Sequence, residues 1–179
     1  EQNHSVELAP AINDLLRKAG ATMDDLTLVI VARGPGGFSA LRVGLSTAKT
    51  LALALELPLV SVGTLDVEAQ PYLSLGIDVC ALIGAGRQRV YLGRFQESGQ
   101  GSEPLYKVLE HDDLVSAIHG PTLFCGEGVP DVAERLRTQL GDGARLADVR
   151  PPTRRASVMA FMGFRRWQES GGEDLAGLQ

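Results

Sequence analysis

Gly34-Pro35-Gly36-Gly37-Phe38-Ser39 is the stretch of this chain that comes nearest to a known chemistry. Several reactions use a glycine-rich turn between a strand and a helix, and each asks for one more residue. A phosphate-gripping Walker loop needs Gly-Lys-Ser/Thr so that a lysine reaches the terminal phosphates; the first lysine after this turn is Lys49. A dinucleotide turn needs a third glycine where Ser39 stands. A hydrolase elbow, Gly-x-Ser-x-Gly, needs its second glycine where Leu41 stands. A serine nucleophile also needs a base, and His111 and His119 qualify only by elimination.

Metal and acid–base chemistry find no better footing. His4, His111 and His119 are far apart, and Cys80 and Cys125 each sit in an apolar run with no ligand type nearby, so no short ligand pair exists. The two cysteines read as buried free thiols, as in a reducing compartment. No carboxylate pair is placed for proton transfer. The residues therefore predict no catalytic set and no metal. A second turn, Gly84-Ala85-Gly86, offers backbone amides that, with Gly34–Gly37, keep a phosphate-binding reading open.

The elements around the first turn are legible. Leu26 to Ala32 is a continuous apolar run, the form of a parallel strand covered on both faces. Ser39 stands where an N-cap would, and a helix is predicted from about Ala40 to Glu56, stopped by Pro58. Its charges are Arg42, Lys49 and Glu56, on one narrow stripe, and the remaining circumference is apolar. A surface helix normally shows one apolar stripe only. Ala40, Gly44, Ala48 and Ala52 form a row of small residues that lets a second helix approach. Ser5 to Ala19 reads as an amphipathic helix with Pro10 inside it, ended by Gly20.

Farther along, Leu59–Val62 is a short strand and Thr64–Leu75 a helix split by Pro71. Asp78–Ile83, Arg89–Phe95 and Leu105–Glu110 form an antiparallel set, with a polar loop from Glu97 to Pro104. Asp112–Ile118 is a short helix, Thr122–Cys125 a strand, and Val129–Leu140 and Ala156–Ser170 are helices. A seam near Leu75–Asp78 separates residues 1–76 from residues 77–179. The chain opens with Glu1 and runs straight into a helix, so the reading expects leading strands to be missing ahead of residue 1.

With 17 basic against 22 acidic residues, the net charge is −5. That argues against a chain that grips nucleic acid by itself. Arg150, Arg154, Arg155, Arg165 and Arg166 nevertheless concentrate near the C-terminal end. No uncharged run approaches the ~18–20 residues a membrane helix needs.

Taken together, Gly34-Pro35-Gly36-Gly37-Phe38-Ser39-Ala40-Leu41-Arg42-Val43-Gly44, the continuation Ala48-Lys49 through Leu57-Pro58, and Ala81-Leu82-Ile83 through Arg87, Val90 and Tyr91 resemble the TsaB (YeaZ) family. That family's turn reads Gly-Pro-Gly-Ser-Phe-Thr-Gly-Leu-Arg-Ile-Gly. Gly37 and Ala40 depart from it, and Gly84 stands where the family often has aspartate. The resemblance implies an actin-like/ribonuclease-H-like α/β fold in two lobes, the last helix returning to the first. It implies a cytoplasmic, non-catalytic scaffold of transfer-RNA threonylcarbamoyladenosine synthesis. Its partner would be a TsaD-type catalytic subunit that modifies adenosine 37, with tRNA reached indirectly and a homodimer formed in isolation. Helix against helix, the interface would use Leu8, Ile12, Leu15, Ala40, Leu41, Gly44, Leu45, Ala48 and Ala52. A large residue at Gly44 or Ala48 would weaken association without unfolding the lobe. No cofactor is expected, except ATP or ADP at the interface with the catalytic partner. TsaD relatives carry metal-binding histidines at positions equivalent to about Thr64 and Glu68, so an iron or zinc site is not expected. An ATP-binding actin-like protein and a metallo-glycopeptidase are the rival readings.

Overall fold

The structure is a computed structural model that describes residues 4–96, 104–148, 150 and 152–174. Most of the predicted loop Glu97–Pro104 lies outside the described residues. The chain divides into two compact units. One comprises the described residues up to Val62 with those from Met159 onward; the other is Gly63–Val158. The division thus falls ahead of the seam read from the sequence.

The first unit contains α1 (His4–Ala19), β1 (Val29–Ala32), α2 (Phe38–Ala54) and β2 (Leu59–Val62). β1 and β2 pair in parallel, Val29 opposite Leu59 and Ala32 opposite Val62. α2 packs on this pair through Ala48 and Ala52, which form a core with Val31 and Leu59; Leu45 and Val29 lie against it. Ile30, one residue off that face, meets helix α5 (Ala156–Ser170) at Gly163, where a Cβ would fall 2.5 Å from Ile30 Cγ2. A glycine is required there by space. The chain after α5 runs along β2: the Glu173 N–H donates to the Leu59 carbonyl, and the Glu173 carboxylate accepts from the Ser61 N–H and hydroxyl at 2.8–3.0 Å.

Two boundaries differ from the sequence reading. Leu26–Leu28 lie outside the strand, because Met23–Asp25 form a single 3-10 turn whose ends are tied by Thr22 and Asp25. α2 starts at Phe38 with Gly37 as its cap and no side-chain cap bond, so Ser39 is a helical residue. Pro10 sits within α1 without interrupting it.

The second unit is built on a five-stranded mixed sheet of order β5-β4-β3-β6-β7. Its strands are β3 (Asp78–Gly84), β4 (Arg89–Phe95), β5 (Leu105–Glu110), β6 (Thr122–Cys125) and β7 (Ala144–Leu146). β3, β4 and β5 are antiparallel neighbours, while β6 and β7 run parallel to β3. Alternation explains why β3 is apolar throughout. Cys80 and Leu82 face a core with Phe124, Val132 and Leu136, the last two on helix α4 (Val129–Leu140). Val79, Ala81 and Ile83 face the opposite core with Leu65 and Ala69 of helix α3 (Thr64–Ala69). After α3 the chain continues as a 3-10 stretch, Gln70–Leu75, with Pro71 near its start. Gly126 has φ +95°, and a Cβ there would sit 2.5 Å from the Leu82 carbonyl oxygen, so β6 turns into α4 at a position open only to glycine. The helix expected over Asp112–Ile118 reduces to a 3-10 turn at Val115–Ala117.

Candidate functional site

The turn from β1 into α2 is closed by one side chain. Gly34 is buried with φ +101°, and Leu41, one turn into α2, covers both Gly34 and Gly36; a Cβ on Gly34 would lie 3.1 Å from Leu41 Cδ1. Leu41, the residue that breaks the hydrolase elbow pattern, therefore has a packing role. Ser39 is exposed, and among the described residues its hydroxyl has no base as partner. Phe38 projects outward at 72% exposure, and the Arg42 guanidinium lies 4.8 Å from its ring centroid. A cation over an aromatic face is attracted by the ring quadrupole. The turn thus presents an aromatic–guanidinium pair to solvent.

The residues proposed for a helical interface separate into three groups. Leu15 (68% exposed) and Ala40 are exposed. Leu8, Ile12, Leu41, Gly44 and Leu45 are half-buried. Ala48 and Ala52 are buried, at 8% and 1% exposure, against the β1–β2 pair; they belong to the core of their own unit. The structure adds apolar residues that the sequence did not single out as contacts. Val6 on α1 and Leu53 on α2 are each 65% exposed, and Phe38 at the start of α2 is 72% exposed. A periodic pattern marks Val6 and Leu53 as apolar but cannot say which of several apolar sides finds a neighbour.

Other chemistry-bearing groups lie elsewhere. Cys80 and Cys125 are free and buried. Burial pushes the Cys80 thiol up to about 12 and raises that of Cys125 as well, so neither supplies a thiolate at neutral pH. Among the described residues no three histidine, cysteine or acidic side chains gather as metal ligands. Thr64 and Glu68 share a face of α3 and are both buried. No helix among the described residues is long and apolar enough to cross a membrane.

Two units with this order of strands and helices, and a glycine-rich turn leading β1 into a long helix, define a protein of the actin-like/ribonuclease-H-like α/β class. YeaZ from Pseudomonas aeruginosa superposes with a TM-score of 0.74 at 25% identity, over 99% of this chain and 83% of that one. The family described as TsaD, tRNA N6-adenosine threonylcarbamoyltransferase, matches residues 1–110. The Bacillus subtilis tRNA threonylcarbamoyladenosine biosynthesis protein TsaB is 28% identical over 99% of this chain and 78% of its own length. Its Escherichia coli namesake is 29% identical over 79% of this chain and 66% of its own length. The chain belongs to the TsaB (YeaZ) family. A tRNA N6-adenosine threonylcarbamoyltransferase of Streptococcus pneumoniae is also similar, 35% identical over 74% of this chain and 41% of its own length.

Proposed function

We propose that this chain serves tRNA threonylcarbamoyladenosine biosynthesis as a non-catalytic scaffold, and that it binds a TsaD-type catalytic subunit through α1, α2 and the turn between β1 and α2. The observation that carries this reading is the exposure of Val6, Leu15, Phe38 and Leu53, at 65–72%, on two helices of one unit. Large apolar side chains left exposed on a helical surface are groups that a partner can cover. Phe38 with Arg42 supplies the aromatic–guanidinium type of group that dominates binding energy at interfaces.

The same two helices serve self-association, so homodimer and heterodimer compete for them. Nucleotide, where it binds, does so at the interface with the catalytic partner, and tRNA is reached through that partner. The test is co-purification with the cognate catalytic subunit, followed by modification of unmodified tRNA. The expected result is a complex that Phe38→Ala with Leu15→Ala weakens, and threonylcarbamoyl transfer that needs both proteins. Transfer by this chain alone would overturn the non-catalytic reading.

A further inference from the structure

Among the described residues of the second unit one carboxylate is buried, and its surroundings give it a task. Glu68, on the last turn of α3, is 3% exposed. Its Oε1 accepts a 2.6 Å hydrogen bond from the Thr153 hydroxyl, 85 residues away in sequence. The Arg154 Nε stands 4.0 Å from the same oxygen, and the Arg154 guanidinium also pairs with Glu127. The Glu68 carbonyl accepts from the Cys125 thiol at 3.4 Å. One residue thus joins α3, the end of β6 and the segment Pro152–Arg155 that leads into α5.

The residues around Glu68 do not fit a metal. A structural or catalytic zinc or iron site draws at least three protein ligands from His, Cys and carboxylates. Thr64 brings a neutral hydroxyl, and no third ligand gathers near Glu68 among the described residues. A guanidinium already occupies the cationic position beside the carboxylate. The pocket that Glu68 lines is partly open to solvent and has about 30 Å³ of room for water, enough for one or two molecules.

We propose that Glu68 is a clasp that seats the Pro152–Arg155 segment through Thr153 and Arg154, and that its carboxylate is committed to these two side chains rather than to a cation. The clasp stands independently of the scaffold reading. It is tested on the whole chain by hydrogen exchange of peptides covering residues 152–158, in Thr153→Val, Glu68→Ala and Glu68→Gln. Losing a hydrogen bond to a buried carboxylate should speed exchange there about tenfold in Thr153→Val and Glu68→Ala. Glu68→Gln keeps an acceptor for Thr153 and should stay within about twofold of the parent. Should Glu68→Ala fail to fold, Thr153→Val carries the test alone, since it removes only the donor. Zn²⁺ titrated by itself into the unaltered chain should give no saturable heat. Unchanged exchange in Thr153→Val, or a micromolar Zn²⁺ site abolished by a Glu68 substitution, would overturn the proposal.

Discussion

Gly44→Leu separates the proposed interface from the fold that carries it. Gly44 lies in the middle of α2, half-buried, and an ideal Cβ there has no atom within 4 Å beyond its chain neighbours and the local backbone of its own helix. The unit should therefore accept the new side chain, and the helix should gain by it. Replacing glycine by leucine inside a helix is worth about 0.8 kcal/mol, which for a chain of this size raises the melting temperature by about 2–3 °C. A partner helix packed close to the same position would meet four extra carbons. Overpacking of that kind costs about 1–3 kcal/mol, or roughly a 5- to 150-fold loss of affinity. The two effects have opposite signs, and this gives the variant its use. Thermal unfolding reads the first; sedimentation of the chain alone and titration with the catalytic subunit read the second. A higher melting temperature with unchanged association in both formats would refute the helix seam. Ala48→Leu cannot make the same separation. Ala48 is buried against β1, so a leucine there strains the unit itself, and any lost association would follow from that.

Other outcomes follow from the same reasoning. Thr64 Oγ1 is buried and has no hydrogen-bond partner among the described residues, so Thr64→Val should stabilise the chain by about 1 kcal/mol, seen as a higher urea midpoint with unchanged slope; a loss of stability would reveal a partner for the hydroxyl. Gly163→Ala places a methyl 2.5 Å from Ile30 Cγ2; the clash, about 2–3 kcal/mol, outweighs a helix gain of about 1 kcal/mol, and Ile30→Ala added to it should return part of the loss. Glu68 is surrounded by Thr153, Arg154, Glu127, Tyr72, Arg155, Asp148 and Cys125. Burial raises its pKa above the ordinary 4.5, and the Thr153 bond, the Arg154 charge and the Glu127 amide offset that only in part. Between 4.5 and the raised value the folded chain keeps a proton that the unfolded chain has released, so this group's contribution falls as pH rises through that window. Glu68→Gln lacks the proton, and its melting temperature relative to the parent should climb from pH 4 upward and then level; a constant difference from pH 4 to 7 would contradict the shift.

How much of this was legible beforehand depended on whether a residue's neighbours were local or distant. Asp78–Gly84, Arg89–Phe95, Thr122–Cys125, Val129–Leu140 and Ala156–Ser170 stand within a residue of where periodicity and flanking Gly or Pro put them. β7 was not legible: three residues, with Arg145 central, pair only with β6 and carry no pattern of their own. The row Ala40, Gly44, Ala48, Ala52 shows a different limit. Each step of four advances about 40° around a helix, so the row winds by about 120°. Its far end turns to the sheet and its near end away from it. Spacing identified small residues but not which of them the strands would claim. Glu68 was visible as an acid in an apolar helix, yet its partners Thr153 and Arg154 come from a segment that no local pattern connects to it.

The arginines near the C-terminal end bear on how such a chain would meet tRNA. As a sequence they read as a basic concentration, and phosphate affinity grows with the counterions such a patch releases. The structure gives four of the five a carboxylate. Arg150 pairs with Asp148 at 2.9 Å, Arg154 with Glu127, Arg165 with Glu169 at 3.1 Å and Arg166 with Glu173 at 3.5 Å. Exposed pairs of this kind add little stability, about 0–1 kcal/mol each. Their consequence is electrostatic: a guanidinium beside a carboxylate has almost no net field a Debye length away, on a chain whose total is already −5. Arg42 is engaged differently, over the ring of Phe38, where it adds to an apolar surface rather than to a phosphate track. The arginines near the C-terminal end are therefore largely matched where they lie, while Val6, Leu15, Phe38 and Leu53 remain exposed, and that imbalance favours a protein surface over a nucleic acid as the first partner.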